Sequence, residues 1–238
     1  MISKEVDAIY FAYRKPKISE KVVNDFKKSY PDANISFIID FGGYEFSFIH
    51  SLKNMDVYHS NKRISALQNG LYISQKTLRP YLEYLMLACQ KNPSKKWLFV
   101  LEDDVKVFYA PTRLLYDLNG VNEGERLNVK IRFMLKILGY RVAKENRIGG
   151  FGGSIFNKSI VSIYSVQEWE NKLKIFFKIM KRPLGSDEVI SLINTIVGGS
   201  FGHYDGLCEV WYEDYQDQLS KNSISTLHKY LGYADDKE

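Results

Sequence analysis

Two cysteines in 238 residues, Cys89 and Cys208, are too few for a disulfide framework, and neither stands in a zinc-ligating spacing. A reducing compartment is the default for such a chain. No apolar run approaches the roughly 18 residues that cross a bilayer, so no membrane span is expected. Lysines and arginines are nowhere dense enough for a nucleic-acid track, and the net charge is a modest +5, from 33 basic and 28 acidic residues. That small excess suits a small anionic ligand. The opening "MISKEVDAIYFAYRK" carries Lys4, Glu5 and Asp7 around a short apolar run, which is not the pattern of a secretory signal. Repeats, low-complexity linkers and composition breaks are also missing, so residues 1–238 are expected to form one domain.

What is present is a globular composition, 45% hydrophobic and 26% charged, with short apolar runs alternating with amphipathic stretches. "VDAIYFAY", "NISFIIDFGG", "MDVYHS" and "WLFVL" read as strands. "ISEKVVNDFKKSYP", closed by Pro31, and "LRPYLEYLMLACQ" read as helices, with "YEFSFIHSLKN" as a shorter one. "NKRISALQNG" reads as a loop. Strand–helix alternation of this kind predicts an α/β domain with a largely parallel central sheet flanked by helices. Beyond Phe108 the pattern changes. "LNVKIRFMLKILG" reads as a helix closed by Gly139, and the glycine-crowded "IGGFGGSIFN" as a strand. Ser165 and Glu168 make a capping box for the next helix, and "DEVISLINTIV" opens another at Asp187 with Ser186 as its N-cap.

The sharpest chemical signal is "WLFVLEDDVKVF". Five apolar residues, Trp97 to Leu101, run directly into Glu102, Asp103 and Asp104. Carboxylates this close repel one another wherever the fold crowds them. In a strand Glu102 and Asp104 share one face and Asp103 takes the other. At the carboxyl end of a buried strand they stand where open α/β sheets bind ligands. Hard oxygen donors there suit Mg²⁺ or Mn²⁺ shared with a diphosphate. The residues alone equally allow the solvated end of an apolar strand.

"WLFVLEDDVKVF" resembles the acidic signature of glycosyltransferases with the GT-A fold. Its "VLEDDV" is similar to family 25 sugar transferases, which include lipopolysaccharide galactosyltransferases and collagen galactosyltransferase domains. Small GT-A enzymes of large DNA viruses have a comparable size and layout. The resemblance implies a GT-A-like (Rossmann-like) fold, with a nucleotide-binding half over 1–108 and an acceptor-binding half over 109–238. It makes Asp104 the direct metal ligand, and places Glu102 near the metal through water or near the ribose or donor sugar. Asp103 touches the sugar or supports the turn. Glu stands at the first position where the family pattern often has Asp.

The same resemblance extends to other positions, each with a plainer alternative. Tyr13 stacks on a base and Arg14 or Lys15 meets phosphate, or "FAYRKP" is a solvated basic loop. Asp40 reads the base or ribose, or is a turn acid beside Gly42 and Gly43. The planar fork of Arg63 suits a diphosphate, or belongs to a surface arginine. "GGFGGS" lacks the Lys-Ser/Thr ending of a P-loop, and the resemblance has Gly152 and Gly153 lining the donor-sugar and acceptor pocket. The other reading is a set of bulges and turns. Asp187 or Glu188, with Asp187 favoured, is the base of an inverting reaction, kept ionised by the positive end of the helix dipole, or both only stabilise the helix start. His203 is a third metal ligand or a surface histidine. Trp211 and Tyr212 stack on an acceptor sugar or fill the core.

The expected function is therefore metal-dependent transfer of a sugar from a nucleotide-diphosphate sugar to a hydroxyl of a glycan or glycoprotein. A nucleotidyltransferase on a similar fold would carry a basic glycine-rich signature after the first strand, and "FAYRKPKISEK" has no glycine. A non-catalytic nucleotide- or carbohydrate-binding protein is the remaining alternative. High Lys, Asn and Ile usage suits an AT-rich genome, and the expected compartment is a bacterial or virus-infected host cytoplasm.

Overall fold

A run such as VDAIYFA, apolar on both alternating faces, needs cover on both sides. In the computed structural model all seven residues of this strand, β1 (Val6–Ala12), are buried. The structure describes residues 4–12, 16–40, 45–60, 63–67, 70–101, 105–107, 120–122, 125–126, 129–142, 147–148, 154–199, 201–203 and 208–210. Helix α1 (Pro16–Ser29) opens on the proline, whose missing N–H costs nothing in a first turn. It leads to β2 (Ile35–Ile39), a 3-10 turn (Ser47–Ser51) and β3 (Met55–His59). Next come β4 (Ser65–Leu67), β5 (Gly70–Ile73), α2 (Leu78–Lys91) and β6 (Trp97–Leu101). Short strands β7 (Val105–Val107), β8 (Gly120–Asn122) and β9 (Glu125–Arg126) precede α3 (Val129–Ile137) and β10 (Arg147–Ile148). The chain continues through β11 (Ser154–Asn157), a 3-10 turn (Lys158–Ile163), α4 (Val166–Met180) and β12 (Leu184–Gly185). It reaches α5 (Ser186–Ile196), β13 (Phe201–His203) and β14 (Cys208–Val210).

Seven strands form the central sheet in the order β13-β8-β11-β6-β1-β2-β3. Only β11 runs against the others: it is antiparallel to both β6 and β8, while β13 is parallel to β8. Six carboxyl ends therefore share one edge. The alternation of each strand sorts the core into two layers. Tyr10, Phe37, Trp97, Phe99 and Leu101 meet Val22, Val23 and Phe26 of α1 on one face. Ile9, Phe11, Leu98, Val100 and Phe156 meet α2, α4 and α5 on the other. The expected α/β architecture with a mixed, largely parallel sheet is what the structure has. The Ser165–Glu168 capping box is also present, each residue bonding the other's backbone N–H.

Two local expectations are corrected. "NKRISALQNG" is not simply a loop, because Ser65–Leu67 and Gly70–Ile73 pair as an antiparallel hairpin, β4–β5, which β12 extends to three strands. Ser186 is not the N-cap of α5 but its first residue, and Gly185 takes the cap position. No helix among the described residues is long and apolar enough to cross a membrane.

At the amino edge the sheet is locked by one carboxylate. Asp7, in β1, accepts from Lys158 Nζ at 2.8 Å, Lys95 Nζ at 3.0 Å, the Asn34 N–H at 2.9 Å and Asn92 Nδ2 at 3.1 Å. Burial opposes its ionisation, but the lysine hydrogen bonds outweigh that and hold its pKa below the ordinary 3.8. The resulting stability is present above the unfolded-state pKa and is lost as pH falls through the lower folded one. Replacing Asp7 leaves Lys158, itself 5% exposed, as a buried unpaired charge. Asp7→Asn should therefore cost about 3 kcal/mol in urea unfolding at neutral pH, and the deficit should shrink as wild type is acidified below that range.

Candidate active site at the carboxyl edge of the sheet

The apolar strands end flush at the edge where ligands bind in open α/β sheets. Beyond the last paired residues, the Asp40 N–H donates to Ala12 O and the Ser60 N–H to Ile39 O, both at 2.9 Å. Strand β6 ends at Leu101, which is 1% exposed, so Glu102 is the next residue past a fully buried strand. Glu102, Asp103 and Asp104 themselves lie outside the described residues, as do Tyr13, Arg14, Gly152 and Gly153. Four of them nevertheless adjoin a described strand end, Glu102 directly after β6. Tyr13 follows β1, Gly153 precedes β11, and Asp104 precedes β7.

Strand β13 runs parallel to β6, so His203, its last residue, stands at the same edge. Three strand spacings separate β13 from β6, about 14 Å. A shared ion would therefore require the chain beyond Leu101 to lean across the edge. The pairing of β7 with β14 works in that direction, since it sets Val105, next to Asp104, opposite Val210, seven residues after His203. Among the described residues no three His, Cys, Asp or Glu side chains gather as a metal cluster.

Asp40 is 2% exposed, and its Oδ1 accepts the Ile64 N–H at 2.6 Å. The acid that closes β2 thus fixes the chain leaving β3, one residue after the exposed Arg63. These two candidates are mechanically linked, which the sequence did not reveal. The backbone then enters the β4–β5 hairpin. Gly185 of β12 pairs with Tyr72 of β5, which places the start of α5 on the small sheet.

At that helix start the two acids differ. Glu188 is committed: both its oxygens meet Arg182, at 2.6 and 2.8 Å, and Oε2 also accepts the Gly185 N–H at 2.8 Å. A bidentate guanidinium plus a backbone donor makes it a structural clamp. Asp187 is half-buried, and its Oδ1 accepts the Glu188 N–H at 2.8 Å. Arg182 went unnoticed in the sequence, although "KRPLGSDEV" places it just ahead of the acidic helix start. Ser154 also escaped attention. It pairs with Val100 at the carboxyl end of β6, and its buried hydroxyl has no hydrogen-bond partner among the described residues.

No protein-family model matches the sequence, and no curated protein matches it either. Solved structures do. The galactosyltransferase LgtC, crystallised with donor and acceptor sugar analogs, has a TM-score of 0.53 at 15% identity, over 82% of this chain and 72% of that one. The mannosyltransferase Ktr4p from S. cerevisiae has a TM-score of 0.51 at 9% identity, over 87% of this chain and 70% of that one. The fold is that of the GT-A glycosyltransferases.

Space explains the glycine at the cap of α5. A Cβ at Gly185 would collide with Asp187 Oδ1. Because that oxygen ends a side chain that can turn aside, Gly185→Ala should cost no more than about 1 kcal/mol in chemical unfolding. If the collision is the cause, the same change in an Asp187→Ala background should cost clearly less, as a double-mutant cycle would show.

Proposed function

We propose that the chain is a metal-dependent glycosyltransferase that moves a sugar from a nucleotide-diphosphate sugar to a hydroxyl of a glycan or protein, with inversion. One observation carries the reading: three consecutive carboxylates follow the buried strand β6 at the carboxyl edge of a GT-A sheet. The galactosyltransferase of the same fold was solved with donor and acceptor sugar analogs, which supports the same two-substrate class here. Residues 1–108 would bind the nucleotide and 109–238 the acceptor, as parts of one domain whose sheet crosses that border through β6 and β11.

The donor set suits a hard divalent cation, since Glu102 and Asp104 follow β6 in sequence and His203 closes β13, whose carboxyl end shares that edge. Asp104, Glu102 and His203 would hold Mn²⁺ or Mg²⁺, which would offset the charge of the diphosphate leaving group. Tyr13 would stack on the base, Arg14 and Arg63 would contact the diphosphate, and Asp40 would set the position of Arg63 through Ile64 or meet the ribose. Asp103, Gly152 and Gly153 would line the donor sugar. The acceptor oxygen would bond to the anomeric carbon as the bond from that carbon to the diphosphate oxygen breaks. The hydroxyl proton would pass to the Asp187 carboxylate. Glu188, occupied by Arg182 and Gly185, would brace that helix start instead of accepting the proton. The proposed compartment is the cytoplasm, where Cys89, buried and with its thiol pushed up to about 12, would stay reduced and inert.

Calorimetry with a panel of nucleoside diphosphates, with and without Mn²⁺, tests the reading. Binding by at least one of them should depend on the cation and disappear in Asp104→Asn. Asp187→Asn should bind the nucleotide like wild type and lose at least about a hundredfold in turnover. If no nucleotide binds under either condition, the transferase reading fails. Full activity in Asp104→Asn would return the acids to a solvated strand end.

A further inference from the structure

Helix α3 is apolar on two opposite sides, one buried and one facing outward. Ile131 and Leu135 are buried, at 5% and 0% exposure, and hold the helix to the protein. On the opposite side Val129, Phe133 and Ile137 are 82%, 63% and 67% exposed. These three recur at i, i+4 and i+8, so they form one stripe along the helix. A solvent-facing stripe of this kind costs solubility unless something covers it.

The charge around the stripe indicates what covers it. Between Arg126 and Arg147 the chain has seven basic residues (Arg126, Lys130, Arg132, Lys136, Arg141, Lys144 and Arg147) and one acid, Glu145. That segment is net +6 in a chain that is net +5, so the remainder is net −1. Lys136, next to Ile137 on the helix, and Arg141, four residues past its end, are both exposed. An apolar stripe with basic flanks matches a surface that offers hydrocarbon and negative charge together, as an anionic bilayer does. A second copy of this chain on the same stripe would bring the exposed Lys136 and Arg141 of each copy to one contact, and like charges oppose that pairing.

We propose that α3 and its basic flanks form a peripheral docking surface for anionic lipid membranes, with Val129, Phe133 and Ile137 entering the headgroup layer. This docking does not depend on the transferase reading, and its test measures no turnover. The protein is sedimented with vesicles of phosphatidylcholine and with vesicles of phosphatidylcholine and phosphatidylglycerol in equal parts. It should pellet with the anionic vesicles and be released by salt. Phe133→Ser/Ile137→Ser and Lys136→Glu/Arg141→Glu should each weaken partitioning by about tenfold or more. Because all four side chains are exposed, circular dichroism and thermal midpoint should be unchanged. The proposal is overturned if wild type fails to pellet with anionic vesicles, or pellets equally with neutral ones. Unchanged partitioning of the apolar double variant also overturns it. A dimer that Phe133→Ser/Ile137→Ser dissolves, without vesicle binding, would assign the stripe to a second copy instead.

Discussion

Strand β6 has no face to give to solvent. It is hydrogen-bonded to β1 on one side and β11 on the other, and all five of its residues are buried. Phe99 and Leu101 belong to the layer under α1, Leu98 and Val100 to the layer under α2, α4 and α5. Polar chemistry is thereby excluded from its length and confined to its end. Strands β1 and β2 are apolar and buried in nearly the same way apart from Asp7 and Ser36, so the chain leaves all three strands at one edge, where Asp40 is the described acid. The opposite edge is used for stability, where Asp7 gathers Lys158, Lys95, Asn34 and Asn92.

The small sheet makes the edge three-dimensional. Asp40 holds Ile64, Ile64 begins the path into β4–β5, and β5 receives β12, which delivers Asp187 and Glu188. A carboxylate at the end of β2 thus lies in the same mechanical chain as the proposed base. The Arg182–Glu188 pair, with side chains 44% and 13% exposed, completes that chain by fixing the first turn of α5. Asp187, the other acid of that turn, is the proposed base.

Much of this was legible in the sequence wherever the signal is local. The nearly continuous apolar runs of β1 and β2, the unbroken one of β6, and the stripes of α1 and α2 follow from periodicity. The Ser165–Glu168 box follows from a spacing of three residues. The antiparallel direction of β11 was not legible, because alternation is the same for either strand direction. The β5–β12 pairing joins residues more than a hundred positions apart, and strands of two to four residues carry almost no pattern. At the site, the sequence could mark Asp40, Asp187 and Glu188 as acids at element ends. It could not separate a clamped Glu188 from Asp187, since that depends on where Arg182 folds. The acidic trio was readable because its identity and its position after an apolar strand both lie in one stretch of chain.

The central claim is that a cation and a diphosphate sit together past the end of β6. Anomalous diffraction from crystals soaked with Mn²⁺ and a nucleoside diphosphate tests it most directly. The account predicts a manganese peak within about 2.3 Å of an Asp104 carboxylate oxygen, with diphosphate density beside it. A manganese peak elsewhere, or a nucleotide bound away from the carboxyl edge, would contradict it.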